Sequence, residues 1–389
     1  MSGRDDARAF PSATAAPCWD PPSASALPST AVVHVFRAAG LVASLLVAAG
    51  WHVAADDRVF FMELPPEVLP VSVGGTAFAV AGTYYRGGGF YWMPTSGDQA
   101  IGGRIAIAIS RDGKTIAGRA LDSRGVENAA IWKGAKEWRL LGGLTAGARP
   151  CDQLLSATYG MSADGRVIVG LGWDGCGYAR AFRWEEATGM VDLGSATANS
   201  TRANGVSSDG KVVVGWQESP LGPREGAKWV NRTEELIKGP GGAVGEAYAA
   251  NQDGTIIVGQ VCNFNDRVET TAWQWSVAKG VQCFPVTRPA SLPPAPYIAQ
   301  MRAVSDDGRV VGGAYTFGLD SESLIWLDGQ LFFLKDYLQA NGYPDAFRRW
   351  INSGFITGVS RDGRTLVGYG AGPTTFQGFM VIIPPRDKK

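Results

Sequence analysis

From about residue 70 to residue 383 the chain alternates short apolar runs with polar, glycine-bearing breaks. The clearest unit is Ser-x-Asp-Gly followed by a Val- or Ile-rich run that closes on Gly. It runs from Ser110 to Gly118, Ser162 to Gly170, Ser207 to Gly215, Ser305 to Gly313 and Ser360 to Gly368. A sixth copy, Asn251 to Gly259, has Asn in place of Ser. In all six the step from the turn Asp to the closing Gly is six residues. A degenerate earlier copy, Val71 to Gly82, keeps the closing Gly and lacks the Asp. Asp-Gly between two apolar runs reads as a tight hairpin, because Gly supplies positive φ and Asp can bond the turn backbone. The β-branched residues that follow suit a pleated, half-buried strand.

Each hairpin is followed by an aromatic strand. Its copies end at Trp132, Trp184, Trp229, Trp275 and Trp326, with Phe90-Tyr91-Trp92 in the first repeat and Phe379-Met380 in the last. A fourth segment follows, such as Gly189 to Gly194 or Glu137 to Leu141. Four strands per unit, at spacings of 36 to 55 residues between equivalent positions, match propeller blades. One such unit cannot bury its own face, so several must stack, and Trp gives a large apolar area for that stacking. The pattern predicts an all-β fold, a seven-bladed β-propeller of four-stranded antiparallel blades. A β-solenoid and tandem sandwiches are the alternatives. The last copy ends at Ile382-Ile383-Pro384 without a fourth strand, and Val59 to Leu64 resembles the missing one. Pairing of the chain ends would close the ring and hide both sheet edges.

The first 55 residues read as a leader, leaving 56–389 as a single propeller domain. Residues 1–31 are rich in Ala, Ser and Pro. Arg37 then precedes a 12-residue apolar run, Ala38 to Ala49, a length that suits a signal-peptide core rather than a bilayer span. Val53 and Ala55 fit the two specificity positions of a cleavage site before Asp56, and a translation start near Val32 or Val33 would give the segment ordinary proportions. A buried or membrane-anchoring helix is the competing reading. Export predicts a periplasmic or secreted protein with no integral membrane domain in the mature chain. Cys18 falls in the leader, and Cys151, Cys176, Cys262 and Cys283 remain. An even count in an exported chain suggests disulfides. Two cysteines fall in one repeat and two in another, which favours Cys151–Cys176 and Cys262–Cys283 among three connectivities.

Ser162 to Gly170, Ala181 to Trp184 and Met190 to Gly194, with their weaker copies, resemble the HAF-repeat family of extracellular bacterial proteins. The resemblance covers roughly residues 70 to 383. Leu334 to Gly342, running into Ser360 to Pro384, is similar to that family's C-terminal repeat. The resemblance implies bacterial export and a repetitive β-fold, and no particular activity.

Composition narrows the chemistry. Lys plus Arg and Asp plus Glu are 36 each, so there is no electrostatic footprint for nucleic acid. The two histidines, His34 and His52, both lie in the leader. A mature chain without histidine excludes Ser-His-Asp and Cys-His nucleophiles, histidine acid–base catalysis and histidine-ligated metals. No cofactor and no metal are expected. Carboxylate chemistry survives, so a glycan hydrolase or lyase is the catalytic alternative. The turn residues Asp112, Asp164, Asp209, Asp253, Asp307 and Asp362 read as structural, since six copies share one turn position.

Candidate ligand-binding residues lie in the loops opposite the turns: Tyr84, Tyr85, Arg86, Trp173, Asp174, Tyr178, Trp216, Asn263, Asp266 and Tyr315. Flat aromatics beside amides and carboxylates suit sugar or protein contact. Residues 284–297 hold five prolines and predict an extended loop, and 334–353 predict a short helix over the same face. The favoured function is a non-catalytic binding module, expected as a monomer, for polysaccharide or an envelope protein. A structural envelope protein without a ligand site is the third reading.

Overall fold

The structure, a computed structural model, describes residues 58–75, 79–93, 96–134, 137–264, 269–286 and 296–385. The leader, Asp266 and most of the proline-rich loop lie outside the described residues.

Each Ser-x-Asp-Gly segment makes the same hairpin loop. The Ser110 amide donates to the Thr115 carbonyl and the Gly113 amide to the Ser110 carbonyl, both at 2.9 Å. The loop is therefore four residues, wider than the two-residue turn that Asp-Gly favours alone. The Ser110 hydroxyl explains the difference. It donates to Asp112 Oδ1 at 2.6 Å and accepts the Thr115 amide at 3.0 Å, while Asp112 also accepts the Lys114 amide at 3.1 Å. Ser162, Ser207, Ser305 and Ser360 repeat the arrangement. In the variant copy the Asn251 side chain accepts the Ile256 amide and the Thr255 hydroxyl takes over the donation to Asp253. Gly113 and its equivalents have φ near +75°, which only Gly adopts at little cost.

The hairpins assemble into seven four-stranded antiparallel blades. They are blade I (68–102), II (105–140), III (156–192), IV (201–236), V (247–283), VI (297–333) and VII (352–382). Within a blade the strands follow chain order from axis to rim, and the innermost strands of neighbouring blades touch all around the ring. Blade VI gains a fifth strand, Glu269–Thr270, parallel to Tyr297–Val304. Closure is as the chain ends predict. Phe60–Pro66 pairs antiparallel with Phe376–Ile382 as the rim strand of blade VII, with Phe60 opposite Ile382 and Glu63 opposite Phe379. The segment after blade VI carries the predicted helix, Leu334–Ala340, with Leu334 and Leu338 buried. Beyond the helix, Tyr343 Oη donates to the Val59 carbonyl at 3.2 Å, and Phe347 packs edge-on to Phe61 at 5.1 Å. The insertion thus clamps the closing strand.

The core is distributed between blades. Seven buried apolar clusters each join two neighbours, for example Phe182 and Trp184 of blade III with Ala117 and Ile131 of blade II. Both sequence-favoured disulfides form, Cys151–Cys176 and Cys262–Cys283.

The closing glycine of the repeat has a separate cause. Every innermost strand carries a β-bulge, at Val71, Ile107, Tyr159, Asn204, Tyr248, Arg302 and Thr357. Two residues before each bulge, a carbonyl oxygen presses onto the closing glycine of the adjacent strand. A Cβ at Gly170 would overlap the Ala157 carbonyl, and one at Gly215 the Arg202 carbonyl. All seven blades repeat this contact. In five of them an aromatic ring (Phe90, Trp138, Phe182, Trp273 or Phe379) also lies by the glycine.

Gly170→Ala is therefore expected to lower unfolding free energy by about 1–3 kcal/mol, the usual range for overpacking a full core. Gly147→Ala, whose added Cβ would meet nothing within contact, is the control in the same denaturant titration. A second expectation concerns acid. The Ser110 hydroxyl first, then the Lys114 amide and ammonium, hold Asp112 below the ordinary Asp value despite partial burial. Burial works against Asp209, but Ser207 and Lys211 outweigh it and lower that group too. A lowered folded pKa gives stability that is present above the ordinary value and lost as pH falls through the folded one. Melting of wild type and the Asp112→Asn, Asp209→Asn double variant should differ at pH 7 and converge towards strongly acid pH.

Candidate functional site

The strand order gives the ring two unlike faces. The Ser-x-Asp-Gly turns line one. The connections between second and third strands, and between blades, line the other, here called the loop face. At the turn face the residue after each Ser lies beside the axis. Arg111 of blade II pairs with Asp306 of blade VI, which also accepts from the Ser208 hydroxyl of blade IV. Arg361 of blade VII donates to the Met161 carbonyl of blade III at 3.4 Å. In blade I, Gly75 lies against the Arg111 and Arg361 side chains. Side chains from blades separated by as many as 200 residues of sequence thus bridge the axis at this end.

Beyond the bridged end, the innermost strands keep some side chains accessible. The bulged residues Val71, Ile107, Tyr159, Tyr248, Arg302 and Thr357 stay half-exposed although they belong to the innermost strands. Two carboxylates organise the surrounding arginines. Glu127 is shared by Arg104 at 3.2 Å and Arg119 at 3.0 Å. Glu246 is shared by Arg202 and Arg224, both at 2.9 Å, and Asn204 adds a contact at 3.4 Å. Aromatic faces link the groups. Tyr159 lies against Arg119 at 5.0 Å and Arg202 at 4.6 Å, and Trp216 against Arg202 at 5.2 Å and Arg224 at 4.3 Å. Such contacts contribute about 0.5–2 kcal/mol each. Arg302 stands apart. Its guanidinium lies over Tyr248 at 5.3 Å and Phe355 at 5.0 Å, and its Nε donates to Gln300 Oε1 at 2.9 Å.

The loop candidates named from sequence do not form one cluster. Tyr84 donates its hydroxyl to Asp98 at 2.9 Å, and burial first, then that carboxylate, pushes its pKa well above the ordinary tyrosine value. Tyr85 packs on Phe376 at 5.3 Å and Arg86 pairs with Glu67 at 3.1 Å. Trp173 packs half-buried on Ala157, Leu171 and Ala179. Asp174 accepts the Arg149 amide at 3.2 Å beside an open Tyr178. Asn263 is exposed beside Gly241, and Asp266 lies outside the described residues. Tyr315 is fully buried, stacked on Tyr297 at 4.6 Å within the core between blades V and VI. Of the ten, Trp216 alone joins the arginine cluster, and it is buried there with its Nε1 unbonded.

Sequence reasoning passed over Arg202, Arg224, Glu246, Tyr159, Tyr248, Arg302 and Phe355. One regularity marks part of this set. The bulged residue always stands three positions before the turn Ser or its equivalent, and Tyr159, Asn204, Tyr248 and Arg302 there interrupt the apolar run.

The loop face also carries most of the exposed large apolar side chains. Leu121, Tyr178, Leu221, Phe264, Leu319 and Ile351 give one at each of blades II to VII. Leu221 and Leu319 are essentially fully exposed, at 93% and 103%. Both disulfides tie loop-face segments, and each closes a loop worth about 3 kcal/mol in the chain-entropy view. Beside the Cys151 loop, a concavity of about 670 Å³ is lined by Arg124 and residues 141–150. Among the described residues no helix is long and apolar enough to cross a membrane.

No protein-family model and no curated protein matches the sequence. Solved structures do. An oligogalacturonate lyase from Vibrio parahaemolyticus aligns with a TM-score of 0.52 at 11% identity, over 84% of this chain and 97% of that one. The β-propeller domain of the Trilobed protease from Pyrococcus furiosus gives 0.49 at 14%, over 81% and 95%. TolB from Acinetobacter baumannii gives 0.44 at 12%, over 78% and 70%. This likeness is to the fold alone. The protein is a seven-bladed β-propeller.

Glu246→Ala would remove the carboxylate shared by Arg224 and Arg202, whose side chain is 8% exposed, and is expected to destabilise by about 3–5 kcal/mol. Removing Arg202 as well should recover part of the loss in a double-mutant cycle of denaturant midpoints.

Proposed function

We propose that the protein is an exported, non-catalytic interaction module that binds a protein partner through the loop face. The observation that carries this reading is the ring of exposed apolar tips. Single exposed apolar residues are ordinary, and it is their recurrence on one face, blade after blade, that supports an interaction surface there. The tips are chiefly aliphatic (Leu121, Leu221, Leu319 and Ile351), whereas sugar platforms need open aromatic faces. Of the aromatics named from sequence, Tyr178 is the most open at 56%, while Trp216 and Tyr315 are buried. A polysaccharide is accordingly the second reading, resting on Tyr178 and the half-buried Trp173.

A carboxylate-dependent hydrolase or lyase draws less support. It needs one carboxyl free to donate a proton and another free to attack or activate water. Glu127 and Glu246 each have their oxygens taken by two guanidinium groups. A purely structural role fits the bridged turn end, but not half-exposed Arg302 and Tyr248 within the ring. Two disulfides fit an oxidising, extracytoplasmic compartment.

The test is site-specific photo-crosslinking in the host envelope. A photoreactive residue at Leu221 should yield one discrete protein adduct, abolished by Leu319→Asp with Ile351→Asp while the melting temperature holds. Val277, an exposed apolar residue on the turn-face side, should yield none. No adduct from the loop face, together with saturable retention on a polysaccharide panel lost in Trp173→Ala, would replace the protein partner by a glycan.

A further inference from the structure

We propose that Arg302 is the seat for a carboxylate of an acidic peptide segment that enters the channel from the loop face. This rests on the reading of the loop face as a protein-binding surface and specifies what part of the partner goes in.

Four observations converge on Arg302. It occupies the bulge of the innermost strand of blade VI, so its backbone lies at the lumen and its side chain stays half-exposed. Its guanidinium is steadied by the Tyr248 and Phe355 rings and by Gln300, the last using Nε. Among the described residues no carboxylate comes within ion-pair distance of it, and its two terminal nitrogens have no hydrogen-bond partner. Asp306, four residues on, is already engaged by Arg111 and Ser208.

The surroundings point to an anion rather than a neutral ligand. Glu127 is shared by Arg104 and Arg119, and Glu246 by Arg202 and Arg224, so four guanidinium groups gather on two carboxylates in the same ring as Arg302. A guanidinium held by its flanks and its Nε presents the two terminal N–H groups as a fork, which matches a carboxylate in bidentate fashion. Because Arg111, Asp306 and Arg361 bridge the axis at the turn face, the approach is from the loop face. The apolar tips around that face would hold the body of the partner while its acidic segment reaches inward.

The probe is acetyl-tetraglutamate amide, titrated calorimetrically into the exported full chain at low and moderate salt. Acetyl-tetraglutamine amide is the uncharged control, and acetyl-tetraglutamine with a free C-terminal carboxylate tests a chain end as the source. Oligogalacturonate tests a glycan source. The expected result is saturable, salt-sensitive binding of a peptide carboxylate and none of the amide control. Arg302→Gln should weaken it at least tenfold, and Arg302→Lys, which keeps the charge and loses the fork, should fall between. Arg139→Gln, an exposed arginine in the outermost strand of blade II, should bind as wild type. Wild-type affinity in a folded Arg302→Gln variant would overturn the proposal, as would no peptide binding to wild type. Binding of oligogalacturonate alone, lost in Arg302→Gln, would overturn the peptide and leave a glycan acid in the seat. The Leu221 crosslink separates the two readings: an adduct that persists unchanged in Arg302→Gln keeps the protein partner and removes the seat.

Discussion

A carbonyl oxygen lies where a side chain would be at the closing glycine of every blade. The β-bulge next to it shortens the ladder by one residue and bends the innermost strand onto its neighbour. Only a glycine leaves room for that approach, and in four blades the same hollow also seats an aromatic ring of the third strand. The bulge has a second effect. Its extra residue has no cross-strand partner, so it is set beside the axis and is released from the demands of blade packing. One local distortion thus fixes the tight inner ring and supplies seven positions at which the lumen can be varied.

The seven positions are used unequally. Blades I, II and VII place Val71, Ile107 and Thr357 there, while blades III to VI place Tyr159, Asn204, Tyr248 and Arg302. Within that half Glu246 gathers Arg202 and Arg224, while Glu127 holds Arg104 and Arg119 at blade II, where Arg119 lies against Tyr159. Buried ion pairs contribute little net stability when compared with well-packed apolar groups. At the turn face two arginines, Arg111 and Arg361, likewise stand by one carboxylate, Asp306.

Closure ties the ring to its rim. The segment Phe60–Pro66 is held by Ile382 and Phe379 through the sheet, and by Tyr343 and Phe347 from the insertion after blade VI. The helix Leu334–Ala340 belongs to this clamp, with Leu334 and Leu338 in the same apolar cluster as Phe347 and Trp350. Tyr343 and Trp350 thus help to hold the chain ends together. The disulfides act elsewhere, pinning loops of blades III and V whose tips reach the loop face.

The sequence by itself determined the period, the hairpin at each Ser-x-Asp-Gly and the all-β class, and it favoured closure of the ring by Val59 to Leu64 and the pairing of neighbouring cysteines. These follow from local rules: the φ of glycine, the hydroxyl that caps a turn, the alternation of apolar residues and the need to hide sheet edges. Loop aromatics were also visible, but their exposure was not. Tyr315 and Trp216 look alike in sequence to Tyr178, and only packing buried the first two and left the third open. The tertiary structure alone decided which charged residues meet. Arg111 and Asp306, 195 residues apart, face each other because a ring brings every innermost strand to one axis. Among the described residues Arg302 meets no carboxylate, and the rings beside it, Tyr248 and Phe355, come from the adjacent blades V and VII, which no local pattern in the chain specifies.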